Sequence, residues 1–264
     1  MNDNRPIGVF DSGVGGLTVA REIKRLLPHE NIIYFGDTKH LPYGDKSKET
    51  ITKFTRKITK FLVKQNCKAI VVACNSATSN SIEAIREAAG DTLVIDVINP
   101  VAKKVAYELH QKIGVIATKA TVNSHAYQHY IRKYNRHIKV IELATPLLVP
   151  IIEEGFRNTP VSRNALEAYL SYKKFEDIDT IILGCTHYPL IEKEVNSAFQ
   201  GRVKVVDSPL IVVNELIHEM VKKDLMGNTQ NPTYQFFLSD YTENFAKLAK
   251  QIFGNAITLE QKQL

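Results

Sequence analysis

A chain of 264 residues, 44% of them apolar, is long enough to bury a core as one large or two modest domains. Cys67, Cys74 and Cys185 are odd in number and form no CxxC pair, which speaks against a disulfide framework or a zinc ribbon. No apolar run nears the ~20 residues of a membrane span, and the net charge of +6 suits an anionic ligand or weak attraction to nucleic acid.

The polar start MNDNR has no secretory character, so a reducing cytoplasm is expected. From Ile7 to Asp11 the chain reads as a strand. It passes a glycine-rich turn into a helix from Leu17, with Leu17, Ala20, Ile23, Leu26 and Leu27 on one face. A strand, NIIYFGD, leads to the loop TKHLPYGDKS, where Pro42 and Gly44 mark irregular backbone. Ser47 is placed to cap the next helix. That helix alternates lysines with Ile51, Phe54, Ile58 and Phe61, the pattern of an amphipathic element with a solvated basic face. A strand from Ala69 to Cys74, a helix through Ile82 and Ile85, and the strand TLVIDVI follow, until Asn99-Pro100 breaks the pattern.

The second half opens with an expected helix from Pro100 to about His110, then the strand KIGVIAT, the helix TVNSHAYQHYIRKY and the strand IKVIEL. A short helix ends at Gly155 and a longer one runs through Leu166 and Leu170. A strand from Thr180 reaches Cys185, and a helix is expected from Pro189. VKVVDSP reads as a strand, the stretch from Pro209 to Met226 as a helix, YQFFLSD as a last strand and ENFAKLAKQIF as a last helix. Strands alternating with helices throughout predict an α/β fold with mainly parallel sheets.

Two stretches look like copies of each other. AIVVACNSAT and TIILGCTHYP are both β-branched runs that end at a cysteine and break into small polar residues. Ile-Gly-Val occurs at Ile7–Val9 and again at Ile113–Val115, and the spacing to the cysteine is 67 residues in one half and 72 in the other. An internal duplication predicts two similar, pseudo-symmetric α/β lobes with the active site in the cleft between them. Residues 1–98 with 207–264 are expected to form the lobe carrying Cys74, and residues 99–206 the lobe carrying Cys185. Ligands of open α/β sheets bind beyond the carboxyl ends of strands, where both cysteines fall.

A lone cysteine at a strand end is ordinarily a small buried hydrophobe, and Cys67 is read so. Two equivalent ones, each before a helix start, suggest chemistry. A free thiol has a pKa of ~8.5, and a helix N-terminus favours the thiolate. A preference of about 2 kcal/mol brings it near neutrality. A redox pair lacks CxxC context, and a metal at Cys185 and His187 lacks further ligands, since zinc takes three or four. Acid–base work at carbon remains, one thiolate removing a proton from one face and the other thiol returning one to the opposite face. The loop Asp11–Gly16 meets neither the Rossmann nor the P-loop pattern and reads as an exposed nest of N–H groups. Asp11 is either a turn cap or a partner of substrate or thiol; His187, two residues past Cys185, is a candidate thiol partner. Ser12, Asn75, Ser76, Thr118, Thr121 and Thr186 are candidate carboxylate donors that equally serve as helix caps.

FDSGVGGLTV, YFGDTKHLPYG, VVACNSAT, PLLVPIIEEG and LGCTHYPL stand in this order over nearly the whole chain, up to about Phe253. Together they resemble the cofactor-independent glutamate racemases of the aspartate/glutamate racemase group. The resemblance implies interconversion of L- and D-glutamate without pyridoxal phosphate or metal, D-glutamate for peptidoglycan synthesis, a cytoplasmic location and a homodimer. It implies Cys74 as the base acting on D-glutamate and Cys185 as the base acting on L-glutamate, with Asp11 and His187 assisting them. Asp37 and Glu153 match further acidic positions, and substrate contacts fall on Asp11-Ser12, Pro42-Tyr43-Gly44, Asn75-Ser76 and Thr186-His187. The family commonly has Thr where this chain has Ser76, which keeps the hydroxyl. An aspartate or hydantoin racemase of the same group is the nearest rival. A basic nucleic-acid-binding protein is disfavoured, because no aromatic-interleaved basic run or helix-turn-helix signature is present.

Overall fold

Apolar strand runs and amphipathic helices alternate in the computed structural model, which describes residues 2–108, 112–254 and 257–264. The first half runs β1 (Ile7–Asp11), α1 (Leu17–Leu26), β2 (Ile32–Gly36), α2 (Lys48–Lys64), β3 (Ala69–Val72), α3 (Asn75–Ala89), β4 (Leu93–Asp96) and α4 (Asn99–Ala106). The second runs β5 (Lys112–Ala117), α5 (Lys119–Asn123), α6 (Ala126–Tyr134), β6 (Lys139–Ala144), α7 (Leu148–Glu153), α8 (Pro160–Leu170), β7 (Thr180–Gly184), α9 (Glu192–Ala198) and β8 (Lys204–Val206). The chain then adds α10 (Ser208–Lys222), β9 (Tyr234–Leu238), α11 (Glu243–Phe253) and β10 (Thr258–Gln261).

The strands form a six-stranded sheet, order β10-β9-β2-β1-β3-β4, and a four-stranded sheet, order β6-β5-β7-β8. Every strand pair is parallel. The order β2-β1-β3-β4 repeats as β6-β5-β7-β8, and Ile7 pairs with Ala69 as Ile113 pairs with Thr180. This places Cys74 and Cys185 two residues and one residue past equivalent strands.

Parallel strands covered on both faces must be apolar throughout, and β1, β2, β3 and β7 are fully buried. Alternation sends Ile7 and Val9 of β1, with Val115 and Ala117 of β5, into one core shared by both sheets. Val101 and Val105 of α4 and Val212 and Leu216 of α10 fill that core between them. Phe10 and Val72 face an outer core under α2 and α3, and Ile116 and Leu183 face another under α7 to α9.

Local structure departs from the sequence pattern at several points. The third strand stops at Val72, because Cys74 leaves the ladder to cap α3. The stretch from Thr121 to Tyr134 is two helices broken at His125, whose φ of +53° is left-handed. The turn from Tyr188 to Ile191 is a tight 3-10 turn before α9 begins. α10 stops at Lys222, short of Met226, and α4 stops at Ala106; His110 lies outside the described residues. β10 is a strand beyond the one expected as the last; its pattern Thr-Leu-Glu-Gln is too short and polar to stand out.

One polar tie sits deep in the first sheet's base. Lys68 Nζ meets Glu30 Oε2 at 2.5 Å with both side chains almost fully buried. Glu30 Oε1 accepts the Gly227 N–H at 2.6 Å, and Lys68 also donates to the Asp3 carbonyl. Removing one partner strands a buried charge. Lys68→Met should destabilise the protein by about 3–5 kcal/mol, and the pair Lys68→Met with Glu30→Gln by clearly less. Urea unfolding midpoints of the single and double variants check this.

Candidate active site

Cys74 is the N-cap residue of α3, in extended conformation, with Sγ accepting the Ala77 N–H at 3.5 Å. Its thiol lies 3.7 Å from Ser12 Oγ. The helix terminus pulls on this thiol through the Ala77 N–H, as the sequence pattern suggests, but it is outweighed. Burial pushes Cys74 well above the ordinary thiol range, the neighbouring Asp11 charge adds to this, and the Ala77 and Ser12 contacts only partly oppose it. Burial pushes Cys67 up to about 12 as well, and this thiol packs in the core under α2 and α3 without reaching the cavity that Cys74 lines.

Asp11 explains why the glycine loop is not an open nest. Its Oδ2 accepts the N–H groups of Gly13 and Gly16, each at 3.0 Å, so the loop closes on its own carboxylate and is buried. Burial raises the Asp11 carboxyl above the usual range, while the His187 charge and the two N–H groups pull it back. Its Oδ1 accepts from Thr186 Oγ1 at 3.4 Å, which reaches across from the second half. Gly15 makes that approach possible: a Cβ there would lie 2.5 Å from Thr186 Oγ1 and 2.6 Å from His187 Nδ1.

Cys185 has a different neighbour. Its Sγ lies 3.7 Å from His187 Nδ1, and His187 Nε2 lies 2.9 Å from Glu153 Oε1. Burial disfavours the His187 cation, but hydrogen bonds to Cys185 and Glu153, with their charges, together hold its pKa well above the ordinary imidazole value. The result is a carboxylate–imidazole–thiol chain on one side and a thiol beside a carboxyl on the other.

Both thiols line one narrow cavity of about 30 Å³. Ser12, Asn75 and Ser76 line it from the first half, and Thr118, Thr186 and His187 from the second. Pro42, Tyr43 and Gly44 close it from the loop after β2. Leu41 and Val149 also line it; neither carries a polar group, so nothing in the sequence marks them beyond their place in shared motifs. Among the described lining residues none is lysine or arginine, so the polar lining consists of hydroxyls, the Asn75 amide, the two thiols and His187. A larger cavity of about 930 Å³ lies between α8 and α9, holds neither thiol, and does not mark the chemistry.

Four candidates stand behind the walls. Asp11 acts through Ser12, Thr186 and the loop, and Glu153 through His187. Thr121 is buried and supports Thr118, whose Oγ1 donates to Thr121 Oγ1 at 3.2 Å. Asp37 does not line the thiol cavity; its Oδ2 accepts the Tyr43 hydroxyl at 2.5 Å and its Oδ1 meets His40 Nδ1 at 2.8 Å. Burial and the Asp37 charge raise the Tyr43 phenol far above its usual value, which keeps it a donor. The halves are latched by Asn75 Nδ2 donating to Tyr127 OH at 2.8 Å and by Ser76 Oγ and Thr118 Oγ1 at 2.9 Å.

With this geometry in place, the profile of the Asp/Glu/hydantoin racemases matches residues 7–216. The chain belongs to that family. It is 41% identical over 256 residues to a glutamate racemase of Thermoanaerobacter pseudethanolicus, covering 97% of this chain and 96% of that protein. A glutamate racemase of Neisseria meningitidis is 42% identical over 262 residues, covering 98% and 96%. The crystal structure of glutamate racemase from Francisella tularensis in complex with D-glutamate superposes with a TM-score of 0.93 at 38% identity, covering 99% of this chain and 98% of that one.

Glu153→Gln removes one of the two hydrogen-bonded partners that raise His187. The imidazolium should then lose its proton at lower pH than in the parent, and turnover should fall away sooner as pH rises. NMR titration of the His187 ring beside a pH–rate profile checks both.

Proposed function

We propose that this chain interconverts L- and D-glutamate by proton transfer at the α-carbon, supplying D-glutamate for peptidoglycan synthesis in the cytoplasm. The single observation that carries the reading is the lining of one cavity by both thiols. Relatives that share two fifths of its residues over nearly the full length are glutamate racemases, which favours glutamate over aspartate or hydantoins.

In one direction the Cys185 thiolate takes the α-hydrogen of L-glutamate and becomes a thiol, leaving a planar carbanion. The Cys74 thiol then gives its proton to the opposite face and becomes the thiolate, so the proton count balances and configuration inverts. The reverse reaction exchanges the roles. No redox partner enters. The α-hydrogen is a very weak acid, so the carbanion needs a water-poor site with fixed dipoles. The buried start of α3 and the hydroxyls of Ser12, Ser76, Thr118 and Thr186 provide these for the two carboxylates. His187, backed by Glu153, serves Cys185; Asp11 stands beside Cys74 and serves that thiol.

A cavity of about 30 Å³ has room for about one water and is far below the ~300–1,000 Å³ of usual ligand pockets. Residues 1–98 with 207–264 and residues 99–206 therefore part as two lobes to admit substrate and close again for chemistry. The working form is a homodimer, which sedimentation measures directly.

L- and D-glutamate are mirror images of equal energy, so kcat/KM is the same in both directions and cannot assign the thiols. Half-reactions can. Cys74→Ser and Cys185→Ser should each lower racemisation by about 10²-fold or more. With glutamate analogues carrying a β-leaving group, Cys74→Ser should retain elimination from the L form and Cys185→Ser from the D form. Circular dichroism follows racemisation, and deuterium entry from heavy water follows proton exchange with no cofactor added. Full activity in either variant ends the two-thiol scheme.

A further inference from the structure

The basic face of α2 is exposed, as its sequence pattern suggests, and part of it borders a cavity. Lys53 and Lys57 share a cavity of about 250 Å³ with Lys39 and His40 from the loop after β2. Among the described residues neither Lys39 nor Lys53 makes an ion pair. The acidic side chain in the lining is Asp37, which is buried and already meets Tyr43 and His40 through its two oxygens, while a Leu264 main-chain oxygen engages Lys57. Three exposed lysines therefore line a cavity whose acidic side chain is committed elsewhere, and two of them make no ion pair among the described residues.

Two further observations specify an oxygen-rich anion. Lys57 Nζ donates to the main-chain oxygen of Leu264 at 2.9 Å, so an acceptor oxygen is already drawn to this edge. Ser239 is buried, and its Oγ accepts the Lys39 N–H at 2.9 Å, which leaves the hydroxyl proton for an acceptor in the cavity. Phe54, stacked on His40 with ring centres 3.9 Å apart, and Ile58 supply an apolar wall. Compact lysine charges suit phosphate oxygens, and the volume suits a small ion or a small monoester.

The position of this cavity gives it a consequence. Asp37 forms its wall and also accepts the hydroxyl of Tyr43, which lines the thiol cavity. We propose that this cavity is a binding site for a small phosphate-class anion, and that its occupancy changes glutamate affinity through Asp37 and Tyr43. The coupling, though not the binding, rests on the glutamate site described above. Coupling between binding sites is reciprocal, so glutamate must change anion affinity by the same factor.

The test titrates inorganic phosphate into the whole protein at constant ionic strength set by chloride, with binding read by NMR shifts and calorimetry. Saturable binding is expected, weakened about 5- to 30-fold by Lys53→Ala with Lys57→Ala, as expected for two partly exposed ion contacts. Without phosphate that variant should racemise glutamate as the parent does. Lys53→Ala alone keeps the Lys57–Leu264 contact and should still weaken binding. Shifts that never saturate, or equal binding by Lys53→Ala, overturn the site. Phosphate affinity unmoved by saturating glutamate overturns the coupling. Binding is read without turnover, so failure of this site and failure of racemisation are told apart.

Discussion

The arrangement depends on how closely the side chains of Thr186 and His187 approach the backbone at Gly15. There Thr186 and His187 from the second half sit where any side chain of the first half would collide with them. The approach is held in place by Asp11, whose carboxylate gathers two N–H groups of its own loop and takes a hydroxyl from Thr186. A buried carboxylate without such donors would cost several kcal/mol. With them it becomes a rivet between the strand ends. The loop's tightness and the shared cavity are thus one feature seen from two sides.

Symmetry of backbone carries asymmetry of charge. Cys74 has a carboxyl group nearby and burial around it, both of which favour the thiol. Cys185 has an imidazole that its own surroundings keep cationic. In a two-base reaction one sulfur must hold a proton while the other lacks it, and here the two sulfurs have unlike neighbours. The absence of lysine and arginine from the described lining fits the same need. A strong fixed cation at the carboxylates would bind the ground state as firmly as the carbanion, which adds nothing to the rate.

Much of this was legible in the residues themselves. The two cysteine-ended strands repeat closely enough to predict two similar parallel sheets, and the observed strand orders repeat in the same way. Motifs named Glu153 and Asp37, but only the fold shows that one is hydrogen-bonded to His187 and the other to Tyr43. Leu41 and Val149 escaped notice because apolar lining has no chemical signature. Tyr127 escaped because its partner Asn75 is 52 residues away in sequence. The helix break at His125 depends on a left-handed residue that is not glycine, and the filled nest depends on a side-chain rotamer. Neither leaves a trace in periodicity.

The repeated strand order carries a historical implication. Fusion of two copies of a half-length gene leaves this pattern behind, and a pair of such copies related by a twofold axis would have shown one sulfur to each face of a flat carbon. That is the stereochemistry an enantiomer-swapping ancestor requires, obtained at no cost from self-association. The two halves now differ around their sulfurs: Asp11 stands beside one, His187 and Glu153 beside the other, and β9 and β10 widen only one sheet. Mirror-image chemistry is thus performed by a scaffold that has drifted away from being its own mirror.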